Sequence, residues 1–394
     1  MAEAAARPSA YLDSCATTPP SAAVLEAMAT AHALAWANPS SLHGPGLAAA
    51  DTLERSRQSL AARLGASGSE LIFTSGATES IHLALLGSAA VLPPGRLLIS
   101  AVEHPATLAA ADQLRQRGWS VAVAPVDRQG LLQPQAFEAL LQPPTRLVSL
   151  IWGQNEVGAI QDLGRISALC RRAGVPLHVD AVQVVGHRTV AFDQLDVDLL
   201  SCTAHKLQGP RGIGLLLRRP AHALAPLFAG AQEGGLRAGT EPVALAAGFA
   251  RAVEDCTDRL ERHGGSDPLA PLRDALLERL LVLPGLSLSG PPPGERRLPH
   301  HISLLVNDPS GQPLSGRELV RRLWRQGLAV SSGSACSSGS GAAGAASPVL
   351  RAMGFDERQA ASGLRLSLGP WHSAADRLDV AAALERAREG LEPY

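Results

Sequence analysis

Past its N-terminal segment, the chain alternates short, uninterrupted apolar runs with longer stretches whose apolar positions recur at helical spacing. The apolar runs are LIFTS (71–75), RLLIS (96–100), SVAVAPV (120–126), RLVSLIW (146–152), PLHVDA (176–181), LLSCTA (199–204) and GIGLLLR (212–218). Helices are predicted between many of them, for example over 103–117, 134–141 and 163–173. Runs of Val, Ile and Leu without polar alternation belong to strands covered on both faces, and strands that alternate with helices make a mostly parallel sheet. The pattern predicts an α/β core around a seven-stranded sheet.

The rhythm changes after a long helical stretch at about 242–262, where GGSDPLAP marks a boundary. Beyond it the pattern predicts a helix at 269–282, a strand near 301–306, a helix at 316–326 and a strand at 328–332. A Ser/Gly-rich loop follows at about 331–347, then a strand at 363–368 and a final helix at 374–389. This second set suits a smaller α+β domain. The expected division is a large domain over 15–262 and a small one built from 1–14 and 263–394.

Composition narrows the partners. A formal charge of -1 gives no basic face for nucleic acid. No apolar run is long enough to span a bilayer, and the first ten residues lack the pattern of a signal peptide; the expected location is the cytoplasm. Five cysteines, Cys15, Cys170, Cys202, Cys256 and Cys336, show no C-x-x-C pair, so neither a disulfide framework nor a zinc site is indicated. The first four lie in or near regular elements; Cys336 lies in the Ser/Gly-rich loop, where a flexible linker would need no thiol. Of the 35 basic residues only Lys206 is a lysine. Arginine replaces lysine on a surface, but it cannot lose a proton and form a Schiff base.

In open α/β sheets ligands bind beyond the carboxyl ends of the strands. Those positions hold Ser75-Gly76-Ala77-Thr78-Glu79-Ser80, Glu103-His104-Pro105, Gln154-Asn155-Glu156, Asp180 with Gln183, and Thr203-Ala204-His205-Lys206. The first is a small-residue turn into a helix, a shape that suits a phosphate. Lys206 follows Asp180 by 26 residues. A strand-end carboxylate, a lysine and a phosphate turn are what pyridoxal phosphate requires: the carboxylate keeps the pyridine nitrogen protonated and the lysine holds the aldehyde. Two other motifs fail. GSGAAG (339–344) matches G-x-G-x-x-G without a preceding strand, and a Walker A loop needs Gly-Lys, whereas the only lysine follows His205.

The series YLDSCATTP (11–19), NPSSLH (38–43), FTSGATES (73–80), EHPA (103–106), NEVG (155–158), HVDAVQ (178–183), AHKLQGPRGIG (204–214), LRAGTEP (236–242), SSGSACS (331–337) and LRLSLG (364–369) resembles the cysteine desulfurases of the class V aminotransferase group, which have the type I pyridoxal phosphate fold. The resemblance covers nearly the whole chain, and SSGSAC is its most specific marker. It implies that Ala77, Thr78, Thr203 and His205 bind the cofactor phosphate, that His104 stacks on the ring, and that Asp180 pairs with the ring nitrogen. Gln183 would contact the phenolic oxygen, and Thr240 would reach the phosphate of the neighbouring subunit in a homodimer. Asn155 and Arg365 would hold the substrate carboxylate, a planar guanidinium being suited to bidentate binding.

The resemblance further implies that Lys206 carries the cofactor and then serves as the base at the substrate's α-carbon. Cys336 would take sulfur from L-cysteine as a persulfide, leaving L-alanine, and pass it to an acceptor such as an iron–sulfur scaffold or a tRNA-thiolation carrier. AGAQEGGLRAGT (229–240), Pro370, the Gly/Ala-rich stretch after Cys336 and the short LEPY ending depart from the family pattern. They bear on partner choice and turnover rather than on cofactor binding. The alternatives are another type I enzyme, such as a selenocysteine lyase, C–S lyase or transaminase, and a non-catalytic subunit that kept the fold.

Overall fold

The computed structural model describes residues 10–333, 346–374 and 379–392. Two helices the strand pattern did not announce come first, α1 (Ala22–Leu34) and α2 (Gly44–Arg63), capped by Ser21 and His43. The central elements then run β1 (Leu71–Thr74), α3 (Ala77–His82), a π-helical turn, α4 (Ser88–Val91), β2 (Arg96–Ser100), α5 (Pro105–Gln116), β3 (Ser120–Ala124) and α6 (Pro134–Leu140). They continue with β4 (Thr145–Ile151), α7 (Leu163–Ala173), β5 (Leu177–Asp180), β6 (Leu199–Thr203), β7 (Gly214–Arg218) and α8 (Val243–Arg262). Each predicted strand of this region is present within one or two residues at its ends. The local chemistry is ordinary: α7 starts where the Asp162 side chain accepts the Arg165 N–H, and stops at Gly174, which adopts φ 65°.

The seven strands form one sheet in the order β1-β7-β6-β5-β4-β2-β3. Pairs from β6 through β5, β4 and β2 to β3 are parallel, while β7 runs antiparallel to both β6 and β1. A strand antiparallel to both neighbours leaves them pointing the same way. The carboxyl end of β1 therefore joins those of β6, β5, β4 and β2 at one edge, in register Thr74↔Gly214↔Thr203. β1, β5 and β6 are buried along their whole length, as continuous apolar runs require.

The remaining elements are α9 (Leu269–Leu281), β8 (Leu286–Leu288), β9 (His301–Val306), α10 (Gly316–Arg325), α11 (Pro348–Ala352), α12 (Glu357–Ala361), β10 (Gly363–Ser367) and α13 (Val380–Arg388). They carry a three-stranded antiparallel sheet, β10-β9-β8. The strand predicted at 328–332 is not one. Its backbone makes only isolated bridges, Tyr11 with Ala329 and Ser331 with Arg365, because the free edge of β10 is divided between this segment and the N-terminal segment, where Asp13 pairs with Ser367. The helix predicted from 374 is described only from Val380, since 375–378 lie outside the described residues.

Leu12, Leu269, Ile302, Leu319, Leu364 and Leu384 share one apolar cluster, separate from the main core around the large sheet. Val349, Leu350, Met353 and Ala360, although late in the chain, belong to the main core. The turn before α3 depends on one close approach. A Cβ on Gly214 would fall 2.7 Å from both Cα and C of Gly76 and 2.8 Å from the Cys202 carbonyl oxygen, all backbone atoms. Gly214→Ala is expected to cost about 1–3 kcal/mol of stability. The urea midpoint should fall with an unchanged slope, whereas an unchanged midpoint would show that the turn can yield.

Candidate active site

The shared strand edge opens into a cavity of about 550 Å³, lined by Ala16, Thr17, Ser75–Glu79, Ile81, His104, Asp180, Val182, Thr203, His205, Lys206, Arg211 and Gly212. Six of the residues expected to act on a cofactor, Ala77, Thr78, His104, Asp180, Thr203 and His205, stand here together with Lys206. Asp180 is the last residue of β5, and Lys206 stands three residues beyond β6. Ala77 opens a helical run that continues through the π-helical turn to Val91, so its first N–H groups face the edge of the sheet.

Lys206 Nζ donates to the backbone carbonyls of Cys15 (2.5 Å) and Ala16 (2.7 Å). The amine is thus held from below by the N-terminal segment. That segment is pinned in turn: His205 Nδ1 lies 3.0 Å from Thr17 Oγ1, Thr18 Oγ1 donates to the His205 carbonyl at 2.9 Å, and Gln183 Nε2 donates to the Cys15 carbonyl at 3.0 Å. Gln183 is buried under the cavity rather than in its wall.

Asp180 Oδ1 accepts the Val182 N–H at 3.0 Å. Burial pushes its carboxyl up from 3.8 to about 6, against the pull of that N–H and of Lys206. The neighbouring Glu103 is buried further from any cation. Its Oε1 accepts from Ser100 Oγ (2.5 Å) and the Ile151 N–H (3.0 Å), its Oε2 is buried with no partner among the described residues, and burial raises it to about 8. At neutral pH Glu103 is mostly protonated and Asp180 mostly charged, so the two carboxyls do not repel each other.

His104 caps α5, its Nδ1 accepting the Ala106 N–H at 3.1 Å. That bond puts the ring proton on Nε2. Burial and then the Lys206 charge lower its pKa to about 4, so the ring is flat and uncharged at neutral pH. His205 is held neutral in the same way, by burial, Lys206 and Arg211, at about 4.

The remaining expected residues lie apart from this cavity's lining. Arg365 is buried in β10, where Nη1 donates to the Asn155 carbonyl (2.9 Å), Nη2 pairs with Asp13 (2.7 Å), and Nε has no hydrogen-bond partner among the described residues. Thr240 is exposed and outside the cavity. Cys336 lies outside the described residues. Sequence reasoning gave no role to the Cys15 and Ala16 carbonyls, Thr17, Arg211 or Glu103. Only YLDSCATTP hinted at the first three, and a backbone oxygen leaves no mark in residue type.

A lysine amine, a buried carboxylate and a helix start at one edge of a mainly parallel sheet define an enzyme of the pyridoxal phosphate class. The chain matches the Aminotransferase class-V family over residues 10–378. It is 38% identical over 392 residues to a cysteine desulfurase of Klebsiella pneumoniae, covering 98% of this chain and 94% of that protein. It is 36% identical over 391 residues to the cysteine desulfurase IscS of Dictyoglomus turgidum, covering 98% and 96%. Among solved structures, a NifS-like protein superposes with a TM-score of 0.85 at 32% identity, covering 96% of this chain and 98% of that one. The chain belongs to the class-V aminotransferase family, and its cofactor is pyridoxal phosphate.

The residues present fit that group. The cavity offers a charged carboxylate for a pyridinium nitrogen, an amine for an aldehyde, a neutral ring on one wall, and a small-residue turn for a phosphate. The carboxylate has a cost when no cation is bound against it. Because burial raises Asp180, the folded chain without cofactor holds a proton there between about pH 4 and 6 that the unfolded chain has released. The site's contribution is therefore present below about pH 4 and lost as pH rises through 6, leaving a penalty of about 3 kcal/mol at pH 7. Asp180→Asn is expected to leave the cofactor-free chain at least as stable as the wild type at pH 7–8 while abolishing cofactor retention. Thermal unfolding of both cofactor-free proteins from pH 4 to 8 checks this; identical pH slopes would sink it.

Proposed function

We infer that this chain is a cysteine desulfurase, which takes sulfur from L-cysteine and releases L-alanine. The observation that carries the reading is Lys206 beside Asp180 in one cavity of a chain that also has Cys336 within SSGSACS. The named relatives support it over nearly their whole length.

Pyridoxal phosphate, when bound, draws electrons from the substrate's α-carbon. Lys206 would hold it, and the turn at Ala77 and Thr78, with Thr203 and His205, would receive its phosphate. Asp180 supplies the negative charge that keeps its ring nitrogen protonated. His104, neutral in the cavity wall, would face its ring without competing for the proton, and Gln183 shares the Cys15 carbonyl with Lys206. The Lys206 amine would serve as the base that takes the α-proton of the substrate. Asn155 and Arg365 orient the substrate carboxylate. The Cys336 thiolate would attack the substrate sulfur; the Cβ–S bond breaks with its electron pair left on carbon, Cβ takes one proton and Cα takes back the one held by Lys206, and Cys336 becomes a persulfide. The sulfur then passes to an acceptor protein of iron–sulfur assembly or tRNA thiolation.

The reading includes a division into domains near residue 262; the apolar cluster around Ile302, Leu364 and Leu384 supports it, while Val349, Leu350, Met353 and Ala360 pack in the main core. It includes a cytoplasmic, reducing setting, with which the free thiols Cys15, Cys170, Cys202 and Cys256 agree. Among the described residues no helix is long and apolar enough to cross a membrane.

A homodimer is also part of it. Thr240 is exposed and away from its own cavity, so a partner's phosphate is the one it would meet. The end of α1, its connection to α2 and the start of α2 leave Leu34, Trp36, Leu42 and Leu47 exposed, Trp36 by 72% and Leu42 by 91%. Apolar side chains so close together in the chain mark a surface that a second copy would cover. Trp36→Arg is expected to shift the sedimenting species from dimer to monomer, and a wild type that sediments as a monomer would remove the dimer.

Two variants test the chemistry. Lys206→Ala is expected to lose the visible absorbance of the bound cofactor and all alanine formation. Cys336→Ala is expected to keep the absorbance and lose alanine formation by about a hundredfold or more. Undiminished alanine from Cys336→Ala would refute the persulfide step and favour a C–S lyase.

A further inference from the structure

Glu156 follows Asn155 in the turn after β4; its carboxylate bonds one end of the chain segment containing Cys336 and lies near the other. On the exit side, Glu156 Oε2 lies 2.6 Å from Ser347 Oγ. Ser347 caps α11, its Oγ accepting the Leu350 N–H at 3.1 Å, which leaves its own proton to point at Glu156. On the entry side, a Cβ on Gly333 would sit 3.4 Å from the same Oε2, and Gly333 adopts φ 79°, a conformation that favours glycine.

The two sides share a further support. Ser331 exchanges backbone hydrogen bonds with Arg365, at 2.7 and 3.0 Å, and the Arg365 guanidinium donates to the Asn155 carbonyl. Thus one turn, Asn155-Glu156, accepts from the arginine expected to meet the substrate, bonds Ser347 and lies beside Gly333. The carboxyl itself is desolvated. Burial pushes it up to about 7, against the Ser347 bond and the Arg365 charge. Among the described residues, Ser347 is the hydrogen-bond partner of this carboxyl.

We propose that Glu156 is a positioning residue for sulfur transfer, fixing the exit stem of the Cys336 segment at Ser347 beside Arg365. The proposal rests on the reading of Cys336 as sulfur acceptor. Thirteen residues separate Gly333 from Ser347. The effective concentration of a tethered thiol at its target depends on where the tether ends are held. Loosening the exit stem lowers that concentration, while the bonds that hold Arg365, to the Asn155 carbonyl and to Asp13, do not involve the Glu156 side chain.

The test is a single-turnover measurement on the full-length holoenzyme. Substrate binding is followed by the cofactor's absorbance change, and persulfide on Cys336 by peptide mass after alkylation. Glu156→Ala and Ser347→Ala are each expected to slow persulfide formation about tenfold, with the absorbance change kept within about twofold. Glu156→Gln retains an oxygen acceptor and is expected to restore the rate.

The double variant separates this contact from the cap on α11. If the two residues act as a pair, Glu156→Ala/Ser347→Ala is no slower than the slower single variant; independent effects would multiply. Unchanged persulfide rates, equal losses in both signals, or multiplying losses would each overturn the proposal. Ser347→Ala carries the same expectation by itself, so a Glu156→Ala chain that fails to fold does not remove the test. A wild type that forms alanine without persulfide on Cys336 would instead overturn the reading of Cys336, and this proposal with it. A competent wild type with unaffected variants would overturn only the role of Glu156.

Discussion

Asp180 has to keep a negative charge where water cannot reach it. Desolvation works against that charge, one backbone N–H and the nearby Lys206 work for it, and the balance leaves it ionised at neutral pH by a narrow margin. Much of the surrounding arrangement protects this balance. Glu103, a second buried carboxyl close by, is protonated instead of charged. His104 and His205 stay neutral, adding no cation that would compete with a bound pyridinium. Lys206 is held back on two carbonyl oxygens. The site is built for a cationic ring before any ring arrives, which is the sense in which an enzyme is organised in advance of its reaction.

That organisation depends on topology. Had β7 run parallel to β6, β1 would not have pointed its carboxyl end at the Asp180 edge, and the turn at Ala77 would have opened on the other side of the sheet. Reversing one strand brings the phosphate-type turn beside the carboxylate and the lysine. The cost is steric: Gly76 and Gly214 come so close that no side chain fits between them. The N-terminal segment closes the other side, tying residues 15–18 to residues almost two hundred positions later.

Much of the large sheet could be read from the sequence because its strands are buried on both faces and carry an unbroken apolar signal. The strand-end residues followed from the same reading, and so did the gathering of Asp180, Lys206, His104 and the Ser75–Ser80 turn. What escaped was weaker in physical signal. α1 and α2 have apolar positions spread around much of their surface, so neither shows a sharp stripe. β8 is three residues long. The run at 328–332 looks like a strand because it opens with Leu, Ala and Val, but it shares the free edge of β10 with the N-terminal segment. Arg365 was placed on the substrate by resemblance; its ion pair with Asp13 and its bond to the Asn155 carbonyl join residues more than two hundred positions apart, which no local pattern encodes.

Lys206 brings one last consequence. As the only side-chain amine in the chain, drawn down onto the Cys15 and Ala16 carbonyls, it leaves an outer surface whose positive charge is almost wholly guanidinium and imidazole. Acylating and glycating agents, which attack amines, find no lysine on that exterior to modify. A lysine-specific protease meets a single side chain it can recognise, and it lies at the floor of the cavity.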